Sequence, residues 1–378
     1  MTRREIGAFD QLRSELGSIF PDLPSRKQAI WAKRSGTVGG PSRNDCSTRV
    51  ASARYHVIMR VLLTHNTALS YLRTQQDGVR RRTMNFDEND HARGWLRSVV
   101  ESVEAMGLAG VPVHLATDRG SLQGKASGIQ LHEVCPQKLP PRSFVPVGNG
   151  IASASPELCF VQLATTVPFV SLVSVGYELC GSYSLAIGTE RGFLDRAPLT
   201  STDALEAYLS QIPGMRGATA ARQALSYVLD ASASPMETAL AMLLTLPTSH
   251  GGYGFELPKM NGAVAVPEAL QGRIGASVLH CDLLWEEQGV VMEYDSDRYH
   301  TGPERIERDA QRKNNLRLLG YEVLVATRRQ VVDAYRFEGV AELLAQCLGR
   351  RLRIRRNDFD RRRHQLRAAL FSRSRLVL

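Results

Sequence analysis

Three carboxylates crowd one short stretch of the chain, VLHCDLLWEEQGVVMEYDSDRYH at 278–300: Asp282, Glu293 and Asp295. Side chains alternate faces along a strand, so Glu293 and Asp295, two apart, share one. If Glu286 to Gly289 is a tight turn centred on Glu287 and Gln288, Trp285 faces Val290, Leu283 faces Met292 and Asp282 faces Glu293. A turn shifted by one residue toward Gly289 sets Asp282 opposite Asp295 instead. Either register gathers the acids on one face and Leu283, Trp285, Met292 and Tyr294 on the other. Opposed like charges destabilise a strand pair, and clustered acids push one another's pKa upward. A hard divalent cation is the natural compensation. Mg2+ takes oxygen ligands, keeps several waters, and needs only one or two carboxylates plus a substrate phosphate. Such an ion acidifies a bound water and stabilises charge building on a phosphate oxygen. The plainer alternative is a half-exposed strand whose acids face water.

The elements that must position these acids are legible around them. Ser234-Pro235-Met236-Glu237 opens a helix: Ser is an N-cap residue, Pro suits the first turn, and Glu three residues after Ser completes a capping box. GAVAVP (262–267) is a candidate strand, and VLHCDLLW and VVMEYDS flank EEQG as two more. Pro303 starts a helix that Gly320 is placed to end. YEVLVAT (321–327) is a strand and GVAELLAQCLG (339–349) a helix, so the order is α-β-β-β-α-β with a helix to follow. Arg305 and Asp309, four apart, suit an ion pair on the helix surface.

Upstream, residues 1–52 read as a leader or linker, with the Gly/Ser/Pro-rich SGTVGGPSRNDCS. In 53–230, Thr64 is a candidate helix cap, VPVHLAT and GIQLHEV are candidate strands, and 153–230 is mainly helical from Ser155-Pro156-Glu157 onward. Residues 158–177 carry no charge and are long enough to span a bilayer. Gln162, Thr165, Thr166, Pro168, Ser171 and Ser174 interrupt the run, which points to a buried helix or helix pair. The six cysteines form no C-x-x-C pair, which argues against a zinc site or a disulfide scaffold. Without a secretory signal, a cytoplasmic location is the expectation. The net charge of +9 favours an anionic partner. Residues 350–378 hold eleven Arg and two acids, so that tail alone accounts for it.

These pieces resemble the PD-(D/E)XK nuclease superfamily, and within it a branch with a very short patch repair endonuclease-like domain. The residues that carry the likeness are Ser234 to Glu237, Asp282, Glu293-Tyr294-Asp295-Ser296 with His300, Asp309 to Arg312, and Gly320-Tyr321-Glu322-Val323-Leu324, over about residues 231–347. The resemblance implies an α/β (α+β) fold with an αβββαβ restriction-endonuclease-like core at 231–349, after a mixed, mainly helical region. It implies Mg2+ held by Asp282 and Glu293, with Glu237 assisting and Asp295 and His300 completing a catalytic pocket. Two departures bear on activity: Asp295 stands where the wider superfamily carries Lys, and Ser296 replaces the usual Gly. THNTALSYL, VPVHLAT, GIQLHEV and GIASASPELCFVQLA resemble regions of AbiEi-type antitoxins or regulators, which implies a regulatory or DNA-binding role for 53–230.

Arginine pairs bidentately with phosphate. DNA is therefore the expected partner of the tail at 350–378, gripped through its backbone by Arg350, Arg351, Arg353, Arg355, Arg356, Arg361, Arg362 and Arg363, with Arg312 from the helix before. The rival reading of the tail is a solvated basic helix. Two functions follow as expectations: a Mg2+-dependent endonuclease-like protein acting on DNA, in phage defence or repair, or a DNA-binding regulator or antitoxin-like protein whose nuclease fold is catalytically silent. A toxin or antitoxin partner is a third expectation.

Overall fold

A computed structural model describes residues 57–59, 61–86, 95–108, 112–117, 128–186, 188–295 and 303–371. They form an α/β protein and belong to one compact unit, 55–378. Up to residue 230 the elements are β1 (Val57–Met59), β2 (Val61–Leu63), α1 (His65–Arg73), β3 (Met84–Phe86), α2 (Trp95–Ala105), β4 (Val113–Thr117), β5 (Ile129–Glu133), β6 (Phe144–Gly148), β7 (Ile151–Ala154), α3 (Pro156–Leu163), α4 (Phe169–Cys180), β8 (Tyr183–Leu185), β9 (Phe193–Asp195), α5 (Thr202–Ser210) and α6 (Ala218–Leu225). Then come α7 (Pro235–Thr245), β10 (Lys259–Ala265), α8 (Glu268–Ile274), β11 (Val278–Trp285), β12 (Val290–Asp295), α9 (Pro303–Leu318), β13 (Glu322–Thr327), α10 (Arg328–Val332), α11 (Ala334–Cys347) and α12 (Phe359–Phe371).

The second half carries the order expected from the sequence, with two short helices, α8 and α10, inserted. Its sheet runs β10-β11-β12-β13: the first two pairings are antiparallel and β12 pairs with β13 in parallel. A parallel pair needs a long crossover, and α9 supplies it. The sheet is covered on both faces. Leu283, Trp285, Val290, Met292, Leu324 and Ala326 join the main core. Val264, Cys281, Leu284, Val291 and Val323 form a smaller layer closed by Leu316 of α9.

The first half holds a five-stranded mixed sheet, β5-β4-β2-β7-β6, beside the buried helices. The uncharged stretch 158–177 divides between α3 and α4, with Pro168 capping the second. Proline inside a continuous helix removes a hydrogen bond and clashes with the preceding turn, so the run becomes a buried helix pair. Among the described residues no helix is long and apolar enough to cross a membrane. Inside α4, the buried Glu178 accepts hydrogen bonds from Arg73 Nε (2.9 Å), Arg73 Nη2 (3.0 Å) and Leu185 N (3.0 Å). One apolar core runs from Val61 to Leu370, across the boundary read from the sequence near residue 230.

The arginine-rich end is part of this packing. Leu352 and Ile354 lie against the core, while Arg351, Arg353 and Arg355 alternate with them into solvent. In α12, Phe359, Leu366 and Leu370 are buried, and so are Arg363 and Arg367, at 3% and 5% exposure. Arg363 is ion-paired with Glu338 at 3.0 Å and Asp360 at 2.9 Å, with its guanidinium over the Tyr335 ring. The expectation that Arg363 faces DNA is therefore corrected: its charge holds α12 against α11. Arg362 is half-buried and donates to Asp358 and to the Ser249 carbonyl, both at 2.6 Å. A Cβ at Gly251, whose φ is +88°, would meet the Arg362 carbonyl oxygen, so this turn needs glycine for α12 to dock.

Candidate active site

The hairpin that carries the acids adopts the first of the two registers. Gly289 N donates to Glu286 O at 3.1 Å, and the pairs are Trp285↔Val290, Leu284↔Val291 and Leu283↔Met292. The ladder ends there. Beyond it Asp282 Oδ2 accepts the Tyr294 N–H at 2.7 Å, satisfying a main-chain donor that the ladder has released. Across β11, pairing runs Met260↔Leu283 and then Gly262↔Cys281, and Asn261 between them has φ +45°. The register is the same on both sides of Asn261, so the feature is a local kink without an inserted residue.

Glu293 is only 2% exposed. Its Oε2 accepts from Arg312 Nη2 at 2.5 Å, and Arg312 Nη1 donates to the His280 carbonyl at 2.9 Å. Arg312 lies one helical turn before Leu316, so the residue that seals the small apolar layer also sets the guanidinium over Glu293. Glu293 Oε1 is buried with no hydrogen-bond partner. Burial, and then the charge of Asp282, push the Glu293 carboxyl up to about 7, against the pull of Arg312 and Lys313. The Asp282 carboxyl is raised too, chiefly by burial.

Glu237 stands third. Ser234 Oγ accepts from Glu237 N at 3.1 Å, and the Glu237 carboxylate accepts from Ala233 N and Ser234 Oγ, both at 2.9 Å. Asn261 Nδ2 donates to it at 3.3 Å, tying the start of α7 to β10. Burial first, then Asp282, raise Glu237 to about 7. Asp282 thus acts electrostatically on both glutamates. An all-oxygen donor set with a partnerless buried oxygen and three carboxyls raised together fits a hard cation.

The expected residues do not all converge. Among the described residues, only His65, His114 and His132 bring three ligand atoms within 4.8 Å of one another; the three acids do not close to that distance. The Asp295 side chain is 51% exposed, with Lys313 Nζ 3.9 Å from its Oδ2. His300 lies outside the described residues. Arg312, expected on a DNA-facing surface, is engaged by Glu293. Arg350, Arg351, Arg353, Arg355, Arg356 and Arg361 are exposed; of these, Arg356 and Arg361 pair with Asp358, and Arg350 lies 3.8 Å from Glu256.

Sequence reasoning missed Asn261, Lys313 and the histidine trio. The Arg312-to-Leu316 spacing carried a signal for the first contact of α9 with the acids. The trio carried none, because it depends on the pairing of β4 with β5 and on where β2 hands over to α1. Comparison with family models, with curated proteins and with solved structures finds no match to this chain.

Proposed function

We propose that this chain is a Mg2+-dependent phosphodiesterase of the endonuclease type, acting on DNA. The observation that carries the reading is the buried, partnerless Glu293 Oε1; burial holds the Asp282 carboxyl above its ordinary range, and burial and then Asp282 hold the Glu293 carboxyl above its own. Asp282 and Glu293 are the residues that would hold the ion. Bound there, Mg2+ would supply an acidified water and stabilise charge on a phosphate oxygen.

The chain's own groups do the rest. Glu237, held by Ala233 N, Ser234 Oγ and Asn261 Nδ2 and raised to about 7 by burial and Asp282, is the nearby acid suited to assist as a general acid or base. Lys313, on α9, lies 3.9 Å from Asp295 and acts electrostatically on Glu293, so it offers a cation near the acids although β12 carries Asp295 where the resemblance expects lysine. Arg312 fixes the Glu293 carboxylate by holding one oxygen and leaving the other open. Arg351, Arg353 and Arg355 lie on one side of an extended segment, about 7 Å apart, and offer a sequence-independent grip on a phosphate backbone.

A second reading has its own support. Arg312 already neutralises part of Glu293, Asp295 replaces the lysine, and the acids stop short of a three-ligand cage. That arrangement suits a DNA-binding regulator with a silent nuclease fold. Supercoiled plasmid incubated with the protein and Mg2+ separates the two. Nicking by wild type that is abolished in Asp282→Ala and Glu293→Ala supports the enzyme. Nicking that survives both substitutions removes the site, and DNA binding without any nicking favours the regulator.

A further inference from the structure

Three histidines far from the acids in sequence meet where β2 passes into α1. In the parallel pairing of β4 with β5, His114 lies opposite Gln130 and Ala116 opposite His132, so the two imidazoles are diagonal neighbours on one face. Thr64 N donates to the His114 carbonyl at 3.1 Å, and His114 N donates to Thr67 Oγ1 at 2.8 Å. This lacing holds the start of α1 against β4 and delivers His65 as the third ring. Ring centroids lie 4.0 Å apart for His65 and His132, and 5.2 Å apart for the other two pairs.

Packing alone does not account for the trio. His114 Nδ1 and His132 Nε2 share a hydrogen bond at 2.9 Å. His65 Nδ1 has no partner, and the residue is 6% exposed. An unpaired polar atom in the interior is costly. His65 also holds a φ of +47°, in the left-handed region that non-glycine residues seldom enter. Strain and an orphaned ring nitrogen thus coincide on one residue, a combination that clusters at ligand-holding sites. Burial, and for His65 and His132 also the neighbouring imidazoles, hold the rings neutral at pH 7, the form in which imidazole ligates.

We infer that His65, His114 and His132 bind one divalent transition-metal ion of the zinc class through their imidazole nitrogens and leave a fourth coordination position open. Nitrogen donors suit zinc, cobalt, nickel or copper, whereas Mg2+ and Ca2+ prefer oxygen. The site therefore differs in chemistry from the carboxylates and stands independently of the phosphodiesterase reading. Ligands from two paired strands and a helix start are held by main-chain hydrogen bonds rather than by a loose loop, as a preorganised site requires. The Cys159 thiol donates to the His65 carbonyl at 3.6 Å and does not join the three clustered imidazoles. Arg216 acts electrostatically on His65.

The test is a Co2+ titration of the chelator-stripped full chain, read by visible absorption. The expected result is one Co2+ per chain with the strong bands of four-coordinate nitrogen ligation, displaced by an equimolar amount of Zn2+. His65→Asn, whose Asn tolerates the backbone, and His132→Gln, at the most exposed ring, should each weaken binding by at least about tenfold, and Glu293→Gln should leave the bands unchanged. Weak six-coordinate bands alone in wild type, strong bands that persist in both histidine variants, or strong bands lost in Glu293→Gln would overturn the assignment. Circular dichroism establishes that each variant is folded. If a histidine variant does not fold, the intensity of the wild-type bands and their survival in Glu293→Gln decide the matter.

Discussion

Replacing Glu293 by Gln should make the protein less sensitive to rising pH. The Glu293 carboxyl is pushed from an ordinary 4.5 up to about 7, by burial first and by Asp282 second. The folded chain therefore keeps a proton that the unfolded chain releases across that window. The stability this proton confers is complete below 4.5 and is lost as pH climbs through about 7. A shift of that size corresponds to about 3 kcal/mol. Gln cannot ionise, so the loss disappears. Arg312 forfeits a partner, but its side chain is 38% exposed and water can take its place. His65 and His132 work in the other direction, with folded values near 3 and 4 that make stability fall as pH drops below 6.5. Both chains share them, so they cancel in the comparison. Urea denaturation of wild type and variant should show the variant gaining about 2–3 kcal/mol on wild type between about pH 5 and about pH 8. A difference that stays flat, or shrinks with pH, refutes the reasoning.

Other perturbations follow from the same contacts. Mg2+ should raise the melting temperature of wild type more at pH 8 than at pH 6, because protons compete for the same oxygens, and should do little for Asp282→Ala. Glu178→Gln breaks a buried ion pair and leaves Arg73 inside, so it should cost about 3–5 kcal/mol in denaturant unfolding. Arg363→Ala removes a buried guanidinium from two acids and should cost about 2 kcal/mol or more. The triple change Arg351→Ala, Arg353→Ala, Arg355→Ala should move stability by no more than about 0.5 kcal/mol. The same triple change should reduce the salt dependence of duplex DNA binding by about three counterions, measured by fluorescence anisotropy across a salt series.

Much of the second half was legible in its residues. The alternation of apolar and acidic residues around EEQG fixed which face each side chain takes but left two hairpin registers open, and the structure selects the one that pairs Trp285 with Val290. Ser234 and Pro235 marked the start of α7, and Pro168 the break between α3 and α4. Acids on neighbouring strands are local information, and their crowding could be seen before any coordinates. Long-range placement could not. Arg363 sits in a stretch that reads as a DNA-facing tail or a solvated basic helix, and only the packing of Phe359 and Leu366 decides that its guanidinium turns toward Glu338 and Asp360. Two short helices, α8 and α10, are too brief to carry a periodic signal. The histidine trio depends on how β4 and β5 align, and no pattern within either strand reports that.

The alternation at 351–355 has a consequence for how this protein can change. Leu352 and Ile354 clamp the ribbon to the body of the molecule, and the residues between them touch little else. Orientation and charge are thereby assigned to different side chains. Swapping Arg353 for Lys, Gln or Glu would retune attraction toward a polyanion step by step while the scaffold stays as it is. Trading Leu352 or Ile354 for a polar residue would release the whole row at once.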